Sequence, residues 1–194
     1  MAEPVERARV WDPALRVFHW ALAAAVVTGW VLGEFGPAIM TWHFWCGYAV
    51  GALVLFRLVW GFVGPETARF AHFLRGPRPV LAYLREMPER RPSRWRGHAP
   101  LGGWATVALL ALLAAQVATG LFADPDDYIN VGPLAHLIPA GDRLTAAALH
   151  ALIAKALLAM VLLHLAAVAF YAFWKREDLV RPMIDGRKLV RRRD

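Results

Sequence analysis

LTAAALHALIAKALLAMVLLHLAAVAFYAFW, residues Leu144–Trp174, carries one charge, Lys155, and two histidines, His150 and His164. The histidines are fourteen residues apart. Fourteen steps of ~100° come to about 1400°, within roughly 40° of four full turns, so both rings leave one face of a helix. At a rise of ~1.5 Å per residue they stand about 21 Å apart along its axis. A run this long and apolar exceeds the ~20 residues needed to cross a ~30 Å hydrocarbon core. The two rings therefore sit at opposite depths of a membrane.

Three further runs are of the same kind. Val17–Gly33 and Ala99–Ala123 carry no charge, and His43–Val63 carries only Arg57. With 58% hydrophobic residues and a mean hydropathy of +0.40, the chain is too apolar for a soluble domain. None of the four runs has the polar face that a water-exposed bundle needs. The expected fold is an all-α integral membrane protein, a four-transmembrane-helix bundle with both termini cytoplasmic. Residues 1–194 form one membrane domain, with spans about 17–36, 43–63, 99–123 and 144–174.

Charge orients the bundle. Nineteen of the 22 Arg and Lys residues precede the first span, lie between Gly64 and His98, or follow Trp174. The outer segment after span three has only Arg143, among Asp124, Asp126, Asp127 and Asp142. By the positive-inside rule the basic loop 64–98 and the tail 175–194 are cytoplasmic. The net charge of +7 is thus a topology signal and a contact for membrane lipids, not a nucleic-acid footprint. No cleavage pattern precedes the first span, so Val17–Gly33 stays as a helix. One cysteine, Cys46, excludes an intrachain disulfide and C-x-x-C-H attachment of c-type haem; it reads as a packing residue.

Topology gives each histidine a depth. His43 and His150 begin spans two and four at the outer face. His19 begins span one at the cytoplasmic face, and His164 lies at the matching depth. The pairs His43–His150 and His19–His164 suit two haems, because two neutral imidazoles fill both axial positions of a haem iron and favour electron exchange over oxygen binding. Gly47 and Gly51, at +4 and +8 from His43, serve either haem clearance or helix packing. Gly29, Gly33, Gly102, Gly103 and Gly120 offer further close approaches. Gln116, Thr119 and Gly120 either line the outer haem pocket or bond between helices.

Charges inside spans are costly, roughly 2.5–3.5 kcal/mol on insertion scales, and so mark function. Arg57, fourteen residues after His43, faces either an inner haem propionate or the interface. Lys155 fits a propionate or a quinone oxygen. His98 opens span three and reads as a propionate or quinone contact or as an interfacial residue. His72 and His136 read as ordinary polar residues. In the Pro-rich segment 64–98, Val80, Leu81, Tyr83, Leu84 and Met87 suggest a short amphipathic surface helix. The outer segment Asp124–Arg143 reads as an ordered loop, and the polar tail as mobile.

The string Arg16-Val17-Phe18-His19-Trp20, His43 with Arg57, the Gly97–Gly103 stretch, and Leu149-His150 with Lys155 and His164 resemble the bacterial di-haem cytochrome b561 family. The resemblance runs from about residue 8 to 185. It implies a four-helix bundle in the bacterial cytoplasmic (inner) membrane, with two non-covalent haem b groups held by His19, His43, His150 and His164. It also implies electron transfer between membrane quinone and a periplasmic redox partner, such as a c-type cytochrome or a hydrogenase-like enzyme. An alternative within the family is a stand-alone superoxide:quinone oxidoreductase, against which the acidic outer loop counts. A metal or proton transporter is the third reading, and it requires a colourless protein.

Overall fold

Asp12 opens the first long helix. Its Oδ1 accepts the Leu15 N–H at 3.1 Å, an N-cap bond ahead of Pro13 in the first helical position. In this computed structural model, which describes residues 5–92, 95 and 97–191, helix α1 (Pro13–Phe35) is followed by α2 (Thr41–Val63), α3 (Phe70–Phe73), α4 (Pro77–Glu86), α5 (Pro100–Phe122), α6 (Ala140–Phe173) and α7 (Val180–Asp185). Helices α1, α2, α5 and α6 are the four long apolar segments expected as spans. Gly36–Pro37 and Gly64–Pro65 stop the first two, since proline cannot continue a helix. At 34 residues α6 is about 51 Å long, more than a bilayer core.

Large apolar side chains along these helices point outward. Val27, Leu55, Val59, Leu152 and Leu163 are each more than half exposed. A protein in water could not tolerate this, whereas hydrocarbon solvates it without penalty. The protein is a membrane helix bundle.

The residues group into two compact units, one of Met1–Phe18, Arg57–Val107 and Leu162–Asp194, the other of His19–Phe56 and Ala108–Val161. The core of the second is Val50, Val54, Leu113 and Leu157, with Leu22, Val26, Val117 and Ile153 packed around them. Here the outer loop folds back on the end of α5: Gly132 N–H donates to Ala123 O at 2.7 Å and Leu134 N–H to Leu121 O at 2.9 Å. The ordered outer loop is as the prolines suggest.

The first unit holds the departures. The tail, read as mobile from its polarity, instead forms α7 and a strand β2 (Arg187–Arg191) antiparallel to β1 (Val5–Arg9), with Arg9 opposite Arg187. Val5–Arg9 and Arg187–Arg191 thus lie side by side, which agrees with an even number of spans returning the chain to one face of the membrane. Gly186, at φ +78°, turns the chain from α7 into β2, and its carbonyl accepts the N–H of Val10 at 2.8 Å. Strand pairing between segments about 180 residues apart leaves no local periodicity to read. Helix α4 forms at the expected place, with Leu81 and Leu84 exposed and Tyr83 buried with its hydroxyl against that of Tyr171. Behind it Lys175 donates to Glu86 O at 3.1 Å, and Lys188 pairs with Glu177 at 2.5 Å while donating to Trp95 O.

Burial, with Glu177 and Glu86 nearby, pushes the Tyr83 phenol up to about 12. The folded chain then keeps a proton that the unfolded chain loses near pH ~10, so this contribution is complete below ~10 and is lost as pH rises toward the folded value. Thermal unfolding followed across that window is expected to show an alkaline loss that Tyr83→Phe abolishes, on the order of 1 kcal/mol. An identical slope in the variant would contradict this burial.

Candidate functional site

In the unit containing residues 19–56 and 108–161, His43 on α2 and His150 on α6 face one another. Their ring centroids are 6.0 Å apart and their planes nearly perpendicular, at 78°. His43 Nδ1 lies 2.8 Å from the carbonyl oxygen of Gly29 on α1. His150 Nδ1 lies 2.9 Å from the carbonyl oxygen of Gln116 on α5. A carbonyl can only accept, so each Nδ1 carries the proton and each Nε2 keeps a lone pair. The Gln116 side-chain amide donates to that lone pair of His150 at 3.0 Å, and Thr119 Oγ1 lies 3.3 Å from its Nδ1.

Glycine makes both approaches possible. A Cβ at Gly33 would stand 3.0 Å from His43 Cε1, and a Cβ at Gly120 would stand 2.9 Å from His150 Cε1. Each glycine follows the accepting residue by four, so each ring lies across one turn of the neighbouring helix. Gly51 is taken up by packing, with Val117 Cγ1 3.2 Å from its Cβ position, whereas nothing lies within 4 Å at Gly47. Cys46 packs its Cβ against Gly29, as expected of a small residue.

These residues fit a six-coordinate haem. His43 and His150 would hold it, since ring centres 6.0 Å apart leave room for one metal ion bonded at ~2 Å to a nitrogen of each ring. The Nδ1–H to carbonyl bond is the outer-shell contact that orients a metal-binding histidine and raises its basicity. Gln116 Oε1 is buried with no hydrogen-bond partner among the described residues, which leaves one polar atom for a bound group.

The other expected residues are placed as follows. His19, in the same unit, sets its ring edge-on to Trp20 at 5.2 Å. His164, in the first unit, is exposed on α6. Arg57 is 1% exposed, so it does not reach into water. Its guanidinium lies 4.7 Å from the Phe70 ring centre, one arm donates to Ala68 O at 3.0 Å, and Nη1 has no partner among the described residues. His98 is held between Trp11, at 4.8 Å, and Phe73, at 4.6 Å. Lys155 is exposed on α6. His72 pairs with Glu66 at 3.1 Å and His136 is exposed, both ordinary polar residues. Gln116 and Thr119 bond between helices, and what they bond to is His150.

Sequence reasoning saw Gly33 only as a possible close approach and missed that it receives His43. The signal was present in Gly29-Trp30-Val31-Leu32-Gly33, a G-x-x-x-G spacing that lets a neighbouring helix approach. The buried Lys175 and Glu177 and the half-buried Tyr171 were also missed, because their partners come from segments far away in the chain.

Residues 10–186 match the family described as prokaryotic cytochrome b561. A probable Ni/Fe-hydrogenase B-type cytochrome subunit of Azotobacter chroococcum mcd 1 is 25% identical, across 94% of this chain and 88% of that protein. One of the same description from Azotobacter vinelandii is 27% identical across 59% of this chain and 58% of its own length. No solved structure matches the chain.

Gly120→Val and Gly33→Val each push a methyl-bearing carbon into an imidazole that cannot retreat without breaking its carbonyl bond. Either change is expected to lower the pyridine-haemochrome yield per chain while the protein still inserts, since overpacking of this kind displaces the ring. Gly141→Ala, with nothing within 4 Å, should keep the full yield. Unchanged haem content in both valine variants would contradict the placement of the rings.

Proposed function

The chain belongs to the prokaryotic cytochrome b561 family, and from that premise we propose that its four membrane histidines hold two b-type haems, through which it passes electrons between the quinone pool and a periplasmic redox protein. As a member of the family it is a multi-pass protein of the bacterial inner membrane that transfers electrons across the bilayer with b-type haem.

The observation that carries the proposal is the outer pair, His43 and His150, with rings 6.0 Å apart and each Nδ1 tied to a carbonyl. When bound there, a bis-histidine haem supplies one-electron exchange at an iron with no open position for oxygen. The chain does the rest. Gly29 and Gln116 fix the tautomers, Gly33 and Gly120 admit the rings, and the surrounding apolar helices exclude water and so tune the potential. The inner pair, His19 with His164, rests on helix position: His164 follows His150 by fourteen residues on one unbroken helix.

Arg57 is assigned to a carboxylate of the inner haem, supported by its burial and by Nη1, which has no partner among the described residues. His98, boxed by Trp11 and Phe73, borders that region of its own unit. Lys155, exposed on a lipid-facing helix, suits the oxygen of a quinone arriving through the bilayer. The hydrogenase-associated relatives favour a hydrogenase-like enzyme or a c-type cytochrome as the periplasmic partner. Outer carboxylates repel an anion such as superoxide and argue against the stand-alone reading.

Replacement of single ligands tests the pairing. His164→Ala is expected to remove the inner haem and leave the outer one, and His43→Ala the reverse, each losing about half of the low-spin α-band in a reduced-minus-oxidised spectrum. Identical loss of both haems in a folded His164→Ala protein would overturn the pairing.

A further inference from the structure

The loop between α5 and α6 carries a feature that holding haem does not use. At its tip Tyr128 is 89% exposed and Ile129 62% exposed. An apolar tip on a membrane protein is bound for lipid or for another protein. Charge decides between them. Asp126 and Asp127 are exposed on the same loop, and Asp142 is exposed in the first turn of α6 that follows it. The loop has no Arg or Lys of its own, and Arg143 at the start of α6 is occupied by Asp124 at 3.7 Å and by Ile138 O at 3.0 Å. Carboxylates gain nothing among anionic headgroups, where basic residues are the ones attracted, but they draw in a cationic protein.

The tip is also preset. Asp126 and Tyr128 both have positive φ, 64° and 60°, and the conformation is held from below. Asp127 accepts the N–H groups of Ile129 and Asn130, and three contacts with Asn130 and Ile129 hold its carboxyl below the usual range. The Asn130 side chain in turn donates to Ala38 O at 2.8 Å and accepts the Met40 N–H at 3.0 Å, pinning the loop to the α1–α2 connection. A surface ordered in advance loses little freedom on binding. The same loop folds onto Leu121, next to the glycine that receives His150.

We infer that the Asp126–Ile129 tip is a docking surface for a soluble, positively charged redox protein, whose apolar patch, ringed by lysine or arginine, seats on Tyr128 and Ile129. The assignment rests on the electron-transfer reading above. It adds the chemistry of the partner and the place where it binds.

The test uses the full chain in nanodiscs of neutral phospholipid, with a basic soluble c-type cytochrome as probe and an acidic one for comparison. The basic probe is expected to bind at low ionic strength and weaken with salt, and the acidic probe to bind at neither. The double change Asp126→Asn with Asp142→Asn should weaken binding about tenfold and flatten the salt dependence. Tyr128→Asn with Ile129→Ser, which keeps a residue tolerant of positive φ at 128, should weaken it about tenfold at either salt. Haem bands are read in every sample. Normal bands with probe binding unchanged in both variants would overturn the docking surface alone, while a wild-type chain without bands would take down both readings. Unchanged probe binding in the tip variant, with loss of retained phospholipid by native mass spectrometry, would place the tip in lipid and overturn the proposal.

Discussion

An imidazole N–H inside a hydrocarbon layer has no water to turn to, and every backbone carbonyl along a helix is already accepting a bond from four residues on. His43 and His150 meet this constraint in the same way, by using the second lone pair of such a carbonyl, that of Gly29 or of Gln116. The ring can come that close only if the residue completing the helix bond carries no side chain on that face. That residue is Gly33 in one case and Gly120 in the other. The tautomer and the ring orientation follow from this one contact, which leaves Nε2 of each ring as the acceptor, met at His150 by the Gln116 amide.

The other unit answers a different polar demand. Lys175, Glu177 and Lys188 are buried or nearly so, and each has its partner: Glu86 O for Lys175, and an ion pair backed by Trp95 O for the other two. Buried charges persist only when so paired, because desolvation otherwise outweighs the attraction. Arg57 departs from this pattern. One of its arms is satisfied by Ala68, and the other terminal nitrogen has no partner among the described residues, at 1% exposure. That unmet nitrogen, beside the Ala68 carbonyl and the Phe70 and Phe73 rings, is what supports the proposed pairing with a haem carboxylate.

What could be read from the sequence alone follows from the range of each interaction. The four helices are legible because hydrocarbon demands a run of about twenty apolar residues, a purely local requirement. The outer histidines are legible because helix period and span position together fix face and depth. Gly33 and the Gln116 carbonyl are legible only in part: close approach can be suspected from G-x-x-x-G, but not which ring arrives there. The strand pairing of Val5–Arg9 with Arg187–Arg191, and the burial of Tyr83 beside Tyr171, are not legible at all, since each depends on a partner that local pattern does not name.

One distribution of charge bears on both orientation and recognition. Arg and Lys residues collect in the cytoplasmic segments because they resist translocation, which orients the helices. There they are drawn into structure, Lys175 and Lys188 on backbone carbonyls and Arg16 on Ile184 O. The outer segment 124–143 keeps only Arg143, bound to Asp124, so that Asp126 and Asp142 stay exposed with no ion pair among the described residues. A protein reaching the end of the bundle that carries His43 and His150 thus meets a negative field before it meets Tyr128. The bias that sets which way the bundle faces also limits which kind of partner its outer face can attract.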